Sequence, residues 1–326
     1  MTILVTGGAG YIGSHMVLHL LEKNYDVLVV DNLSTGNKNA VLANKFYEVD
    51  ICNYEALEKV FANNEISGVI HFAASSLVGE SIKEPLKYYY NNIFGTMNLL
   101  KAMEAHNVKN LVFSSTAAVY GEKNSPLKEE DQTNPTNPYG ETKLAIEKML
   151  KWQSNARGLN YAALRYFNAA GSHESGIIGE VRKVETHLIP IALDVALGKI
   201  DKLMVFGTDY ETPDGTCIRD YIHVCDLVSA HLLALEKMQN NNGDKPLQLT
   251  YNLGSEKGYS VFQIVDSVKE VTKIEINTEE TDRRPGDPPI LIASSEKIKK
   301  ELGWMPRYTN IYDIIDTAWK FRSKKR

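Results

Sequence analysis

The chain has 326 residues, 43% of them apolar and 24% charged, and a net charge of −5 at neutral pH. That length admits two domains, or one large core with a smaller lobe, and the acidic balance argues against nucleic acid as a partner. Three cysteines without a CxxC pair (Cys52, Cys217, Cys225) argue against a disulfide framework or a zinc centre and fit a reducing cytoplasm. MTILVTGG enters a strand directly, without a signal-peptide pattern. No apolar run approaches the ~20 residues needed to cross a bilayer.

Ile3-Leu4-Val5 predicts the first strand, and helical spacing runs from Tyr11 to Leu21. Between them lie Gly7, Gly10 and Gly13. Glycines there let the backbone turn sharply and approach a pyrophosphate, whose charge rests against the helix N-terminus. The second strand, Val27 to Val30, ends in Asp31. A carboxylate at that place accepts hydrogen bonds from both ribose hydroxyls and repels a 2′-phosphate, which favours NAD over NADP. Asp50-Ile51 follows the next strand; an acidic–apolar pair there fits an adenine contact and equally an ordinary strand end. His15 and His19 share a helix face, but without the Glu of a metalloprotease helix they read as core or surface residues. No metal site is expected.

Helical patterns from Tyr54 to Ala62, in a long segment ending near Ala105 and from Thr142 to Trp152 alternate with the apolar runs GVIHFAA (68–74), NLVFSS (110–115) and YAALRY (161–166). Such alternation predicts right-handed βαβ units and a parallel sheet, with ligands outside the carboxyl ends of its strands. Thr116, in FSSTAAVYG (113–121), falls at such an end. The next element, NPYGETKLAIEKML, places Tyr139 and Lys143 four apart on one helix face. A free phenol, with a pKa of ~10, is a poor base at neutral pH. A neighbouring ammonium and a cationic nicotinamide favour the phenolate, and Thr116 can bond the same substrate hydroxyl.

After about Asn168 the pattern loosens through AAGSHESGIIGE. HLIPIALDVALG then reads as a helix, DYETPDGT (209–216) as a turn, and RDYIHVCDLVSAHLLALEKM as a strand-to-helix unit that could return to the sheet. NNNGDKP (240–246) and the region near TDRRPGDPP (281–289) are loops, a closing helix starts near Tyr312, and the basic tail Ser323 to Arg326 is a solvated end. Tandem repeats are absent. The expected architecture is α/β: a Rossmann-type, doubly wound parallel sheet with a smaller interleaved lobe. The expected division is a dinucleotide-binding domain over residues 1–167, with 217–254 returning to it, and a second, ligand-binding lobe over 168–216 with 255–326.

TGGAGYIGSH, SSTAAVYG, YGETK, RYFN (165–168) and RDYIHV (219–224) together resemble the extended short-chain dehydrogenase/reductases, and within them the UDP-hexose 4-epimerase branch. The resemblance extends over the whole chain through VVDNLSTG, LVGES, YYNN, VFGTDY, YNLG, RRPGDPP and ELGW. It implies that Tyr139 is the acid/base, Lys143 its ribose-binding partner, and Thr116 the hydroxyl that touches the sugar. It implies NAD contacts at Tyr11, Ile12, Asp31, Asn32, Asp50, Ile51, Phe72, Ala73, Asn92 and Phe167. For the UDP part it implies Asn168, Leu188, Phe206, Arg219, Arg284 and Asp287; fork-shaped cations are also what a pyrophosphate asks for. The implied activity is interconversion of UDP-galactose and UDP-glucose in galactose metabolism by a cytoplasmic homodimer. The helices around 82–105 and 140–155 are candidates for the dimer contact.

Two positions depart from the branch. Ser76 stands where a lysine is common, and His187 stands in the segment that usually reads Asn-Asn-Leu. Leu291 occupies a place linked to sugar size and favours plain hexoses over N-acetyl sugars. A 4,6-dehydratase needs a further acid/base pair after the Thr, where this chain has Ala117-Ala118. The alternatives are an epimerase of another UDP-sugar (an N-acetylhexosamine or glucuronate, the latter needing a cation for its carboxylate) and a non-catalytic NAD-binding regulator.

Overall fold

Runs of Val, Ile and Leu bounded by Gly, Asn and Asp become buried strands, and the amphipathic stretches between them become helices. The protein is described by a computed structural model that covers residues 1–122, 126–284 and 287–324; Lys325 and Arg326 of the tail lie outside the described residues. The first half runs β1 (Thr2–Thr6), α1 (Tyr11–Glu22), β2 (Asp26–Asp31), β3 (Lys45–Glu48), α2 (Tyr54–Ala62), β4 (Ile66–His71), α3 (Val78–Lys83), α4 (Pro85–Tyr88), α5 (Gly95–Ala105), β5 (Asn110–Thr116), α6 (Pro138–Arg157) and β6 (Asn160–Tyr166). There follow β7 (Asn168–Ala170), α7 (Leu188–Ala196), β8 (Leu203–Phe206), β9 (Ile218–His223), α8 (Val224–Gln239) and β10 (Gln248–Leu253). The chain ends with β11 (Gly258–Ser260), α9 (Val261–Thr272), β12 (Thr278–Thr281), β13 (Ile290–Leu291), α10 (Glu296–Leu302) and α11 (Ile311–Ser323).

Seven strands form one parallel sheet in the order β10-β6-β5-β4-β1-β2-β3. The chain winds outward in both directions from β1, so the order reverses between β1 and β4, and a crevice opens there at the carboxyl ends. One face of the sheet packs Val5, Ile70 and Leu164 against Met16 and Leu20 of α1 and Leu227 and Leu235 of α8. The other packs Leu4, Val69 and Phe113 against Leu57 of α2, Leu99 of α5 and Leu150 of α6. The smaller lobe has its own core around Leu193, Ile264 and Ile315, beneath a sheet of β11, β9, β13 and β7 and a separate β12-β8 pair.

Two departures from the sequence reading bear on the site. The long helix expected up to Ala105 is broken at Pro85, whose ring cannot extend the preceding turn. A π-turn over Tyr89–Phe94 follows it. The 217–254 segment is also split: β10 joins the large sheet and α8 packs on α1, but β9 pairs with β7, β11 and β13 of the smaller one.

Candidate active site

A cavity of about 850 Å³ opens at the crevice, walled by both lobes. Its floor is the turn between β1 and α1. Gly7 has φ +73°, and a Cβ there would lie 2.6 Å from the backbone nitrogen of Ala73; at Gly13 it would lie 2.1 Å from the Gly7 carbonyl oxygen. Only glycine allows the loop after β4, the turn and the helix to approach so closely. Helix α1 starts at Gly10 with no side-chain cap and no acidic residue in its first turn. Its first N–H groups therefore face the cavity with their partial positive charge unanswered. A pyrophosphate fits that cradle.

At the end of β2, Asp31 is anchored by the backbone nitrogens of Ala9 (3.0 Å) and Leu33 (2.8 Å), and burial pushes its carboxyl up. Asn32 donates to Asp50 (2.9 Å), which joins the two strand ends where an adenosine ribose and base would lie. Gly10, Tyr11, Ile12, Ile51, Phe72, Ala73 and Phe167 line the same wall. Asn92 stands just behind it. The π-turn aims its side chain so that it accepts from Ser75 N (2.8 Å) and donates to the Ser75 carbonyl (3.0 Å) and the Thr142 hydroxyl (3.1 Å).

Tyr139 and Lys143, the pair expected to handle the proton, come from α6, which starts at Asn137, whose side chain caps Gly140 N, with Pro138 in the first turn. Tyr139 lines the cavity and is part-buried; desolvation raises its phenol, and Thr116 beside it works against that. Lys143 is buried and donates to the Ser114 carbonyl at 2.7 Å, with Nζ 5.9 Å from the centre of the Tyr139 ring. Burial lowers its ammonium to about 7, although Glu147 opposes the shift. Burial dominates both groups, and Thr116 works against it at Tyr139. Ser114, one turn of the pleat before Thr116, bonds the hydroxyl of Tyr166.

On the smaller lobe, Asn168, Arg219, Asp287 and Leu291 reach the wall. Arg219 pairs with Asp287 at 3.6 Å and donates to the Pro288 carbonyl at 2.7 Å. Leu188, Phe206 and Arg284 stand off the wall; the Arg284 guanidinium lies 3.8 Å from the centre of the Phe206 ring, a ready-made stacked platform. Ser76 and His187, the two departures, both line the cavity. His187 contacts Glu180 at 2.8 Å. Burial alone would depress its imidazole, but Glu180 and Glu185 outweigh that and lift it to about 9. Arg182 and Lys183 are wall residues that sequence reasoning missed, since isolated cations in an irregular loop carry no local signal. His15, by contrast, is a core residue bonded to the Tyr11 carbonyl.

The sequence profile of the NAD dependent epimerase/dehydratase family matches residues 3–254. The chain is 52% identical over 325 residues to the UDP-glucose 4-epimerase of Halalkalibacterium halodurans, covering 99% of this chain and 96% of that one. Among solved structures, a UDP-glucose 4-epimerase superposes with a TM-score of 0.95 at 54% identity, covering 100% of this chain and 98% of the other. The Bifidobacterium longum UDP-glucose 4-epimerase in complex with NAD+ and UDP superposes with a TM-score of 0.93 at 39% identity, covering 99% and 98%. A glycine turn under an uncapped helix, a strand-end carboxylate beside it and a Tyr and a Thr on the same cavity wall agree with that likeness along the whole sequence, and the chain belongs to the NAD-dependent epimerase/dehydratase family.

Proposed function

We propose that the chain interconverts UDP-galactose and UDP-glucose by inverting the sugar at C4, with NAD held in the cavity through turnover. The observation that carries this reading is that Tyr139 and Thr116 share one wall with the glycine turn and Asp31, next to Ala117 and Ala118. Alanines there can transfer no proton, so the site performs C4 chemistry without the elimination a dehydratase adds.

Bound NAD supplies a hydride acceptor, and then a donor, for the sugar carbon. Tyr139 removes the 4-hydroxyl proton and later returns it, directly or through Thr116, whose own hydroxyl accepts from Ala118 N (3.2 Å) and is thereby oriented. Lys143 binds the nicotinamide ribose and keeps a cation beside the phenol. Asn168, Leu188, Arg219 with Asp287, and Arg284 on Phe206 hold the UDP part. A firmly held nucleotide and a loosely held hexose let the sugar present either face. In this proposal 1–167 with the returning part of 217–254 serves the dinucleotide, and 168–216 with 255–326 the UDP-sugar.

The test is direct. UDP-galactose incubated with the purified protein and no added NAD should convert to UDP-glucose by NMR, and Tyr139→Phe should reduce the rate by roughly 10²–10⁴-fold, the usual weight of a positioned acid/base group. Turnover of UDP-glucuronate or a UDP-N-acetylhexosamine in place of UDP-galactose would move the substrate and leave the chemistry standing. Bound NAD without any sugar-nucleotide turnover would establish a regulator.

Homodimerisation and a cytoplasmic location belong to the same proposal. Ile82, Leu86, Tyr90 and Met97 between α3 and α5, with Trp152 of α6, leave large apolar side chains exposed on the helices expected to form the contact. Sedimentation should give twice the 36.5 kDa chain mass, and a monomer at micromolar concentration would sink the dimer. Among the described residues no helix is long and apolar enough to cross a membrane.

A further inference from the structure

The loop between β7 and α7 has a firm root and an exposed tip. At the root Glu180 is buried. Its carboxylate receives Arg182 Nε at 2.7 Å and faces His187 Nδ1 at 2.8 Å, and its carbonyl accepts from Arg322 Nη1 at 3.2 Å. Burial works to raise the Glu180 carboxyl, but His187 and Arg182 hold it below its ordinary range, so it remains an anion to anchor both. Arg322 of α11 is in turn pinned to Asp194 of α7 (2.8 Å). At the tip Val181 and Val184 are exposed, the latter by 71%.

From this root the segment 181–184 crosses the crevice. Arg182 uses only Nε on Glu180; no described residue takes its Nη1 or Nη2, and Arg182 is among the residues that line the cavity. Its charge acts on Tyr11, Tyr139 and Tyr166, the first of which directly follows the uncapped start of α1. Lys183 reaches the opposite bank, where Nζ donates to the carbonyl of Ser34 (3.2 Å) in the loop that follows Asp31. Arg182 thus lines the same cavity as the cradle glycines, while its neighbour is fastened on the ribose side.

We propose that Arg182 and Lys183 form a clasp over the cofactor, Arg182 pairing with the dinucleotide pyrophosphate and Lys183 fastening the segment to Ser34. This rests on the reading that the cavity holds NAD. The reaction returns the dinucleotide to its starting state, so nothing in the chemistry requires its release. A cation held rigidly against the pyrophosphate slows dissociation, because its fork loses little freedom on pairing. The clasp serves retention of the cofactor; Arg182 itself transfers no proton.

The experiment follows NAD leaving the loaded full-length protein after rapid desalting, by the nucleotide appearing in the filtrate. Arg182→Met should release NAD about tenfold faster, the loss of one charge-assisted contact. Arg182→Lys should fall between Met and the parent, and Lys183→Ala should release NAD a few-fold faster. Raising ionic strength should accelerate release from the parent more than from Arg182→Met. The melting temperature of each variant without NAD, and its affinity for UDP, serve as controls. Parental release rates in a folded Arg182→Met protein overturn the proposal. So does weakened UDP binding with unchanged NAD release, which would assign Arg182 to the substrate diphosphate. A parental chain that binds no NAD overturns the cofactor reading and the clasp together.

Discussion

Ser114 and Thr116 look into the cavity, whereas Ser115 between them turns to the other side of β5 and donates to buried Glu147 at 2.5 Å. The same alternation divides Arg219, on the cavity wall, from Asp220, which is fully buried and accepts from Ser255 N (2.8 Å), Glu256 N and Ala293 N (both 3.2 Å). A period of two along a strand thus sorts adjacent polar residues into chemistry and scaffolding. Glu147 also holds Arg165 through two bonds (Nε–Oε1 3.0 Å, Nη2–Oε2 2.5 Å), and Arg165 Nη1 reaches the Tyr120 hydroxyl at 2.9 Å. The Arg of RYFN is therefore structural. Because both ends of this pair are buried, Glu147→Ala leaves an uncompensated guanidinium and should cost about 3–5 kcal/mol in denaturant unfolding. A loss under 1 kcal/mol would mean that water reaches the vacated site.

Helix α1 is held against the turn below it by the absence of side chains. A Cβ at Gly13 would collide with the Gly7 carbonyl at 2.1 Å, a backbone atom that has nowhere to move because Gly7 N is bonded to the Val30 carbonyl (2.8 Å). Gly13→Ala should therefore lift the start of α1 from the cradle. Stability should fall by about 1–3 kcal/mol, as overpacking does, and calorimetry should show NAD affinity reduced at least tenfold, since the first-turn N–H groups no longer converge. Unchanged affinity would show that the pyrophosphate does not rest there. The π-turn at Tyr89–Phe94 is the opposite kind of device: an extra residue in one turn rotates Asn92 toward the loop after β4 and toward α6. Helical periodicity alone makes that segment read as one long helix, because α4, the π-turn and α5 follow one another with no non-helical residue between them.

Four histidines, His15, His71, His223 and His231, are buried, and burial lowers them to about 4, 3, 3 and 4 respectively. Above the unfolded value near 6.5 they are neutral in both states; below it the unfolded chain binds protons that the folded chain refuses. Stability should therefore fall as pH drops from about 6.5 toward 4, each histidine contributing up to ~1.4 kcal/mol per pH unit. Asp220, raised to about 6 by burial, opposes this below that pH, as do Asp31, Glu129 and Asp226, which burial also raises, at lower pH. His187, raised to about 9, has the other sign: its contribution is full below 6.5 and disappears as pH passes 9. Chemical denaturation across this range should give a dome; stability that is level from pH 7 to 5 would contradict the burial of these rings. What the sequence determined by itself is what the backbone period fixes within one element: the glycine turn, Asp31 at a strand end, Thr116 at another, and Tyr139 with Lys143 on one helix face. Only the tertiary structure decided which distant segments face them. Arg182 and Lys183 come over the cofactor cleft because Tyr11 bonds the Gly171 carbonyl (2.6 Å) and Arg322 bonds the Glu180 carbonyl. Those contacts join residues more than 140 positions apart, so they leave no trace in local spacing.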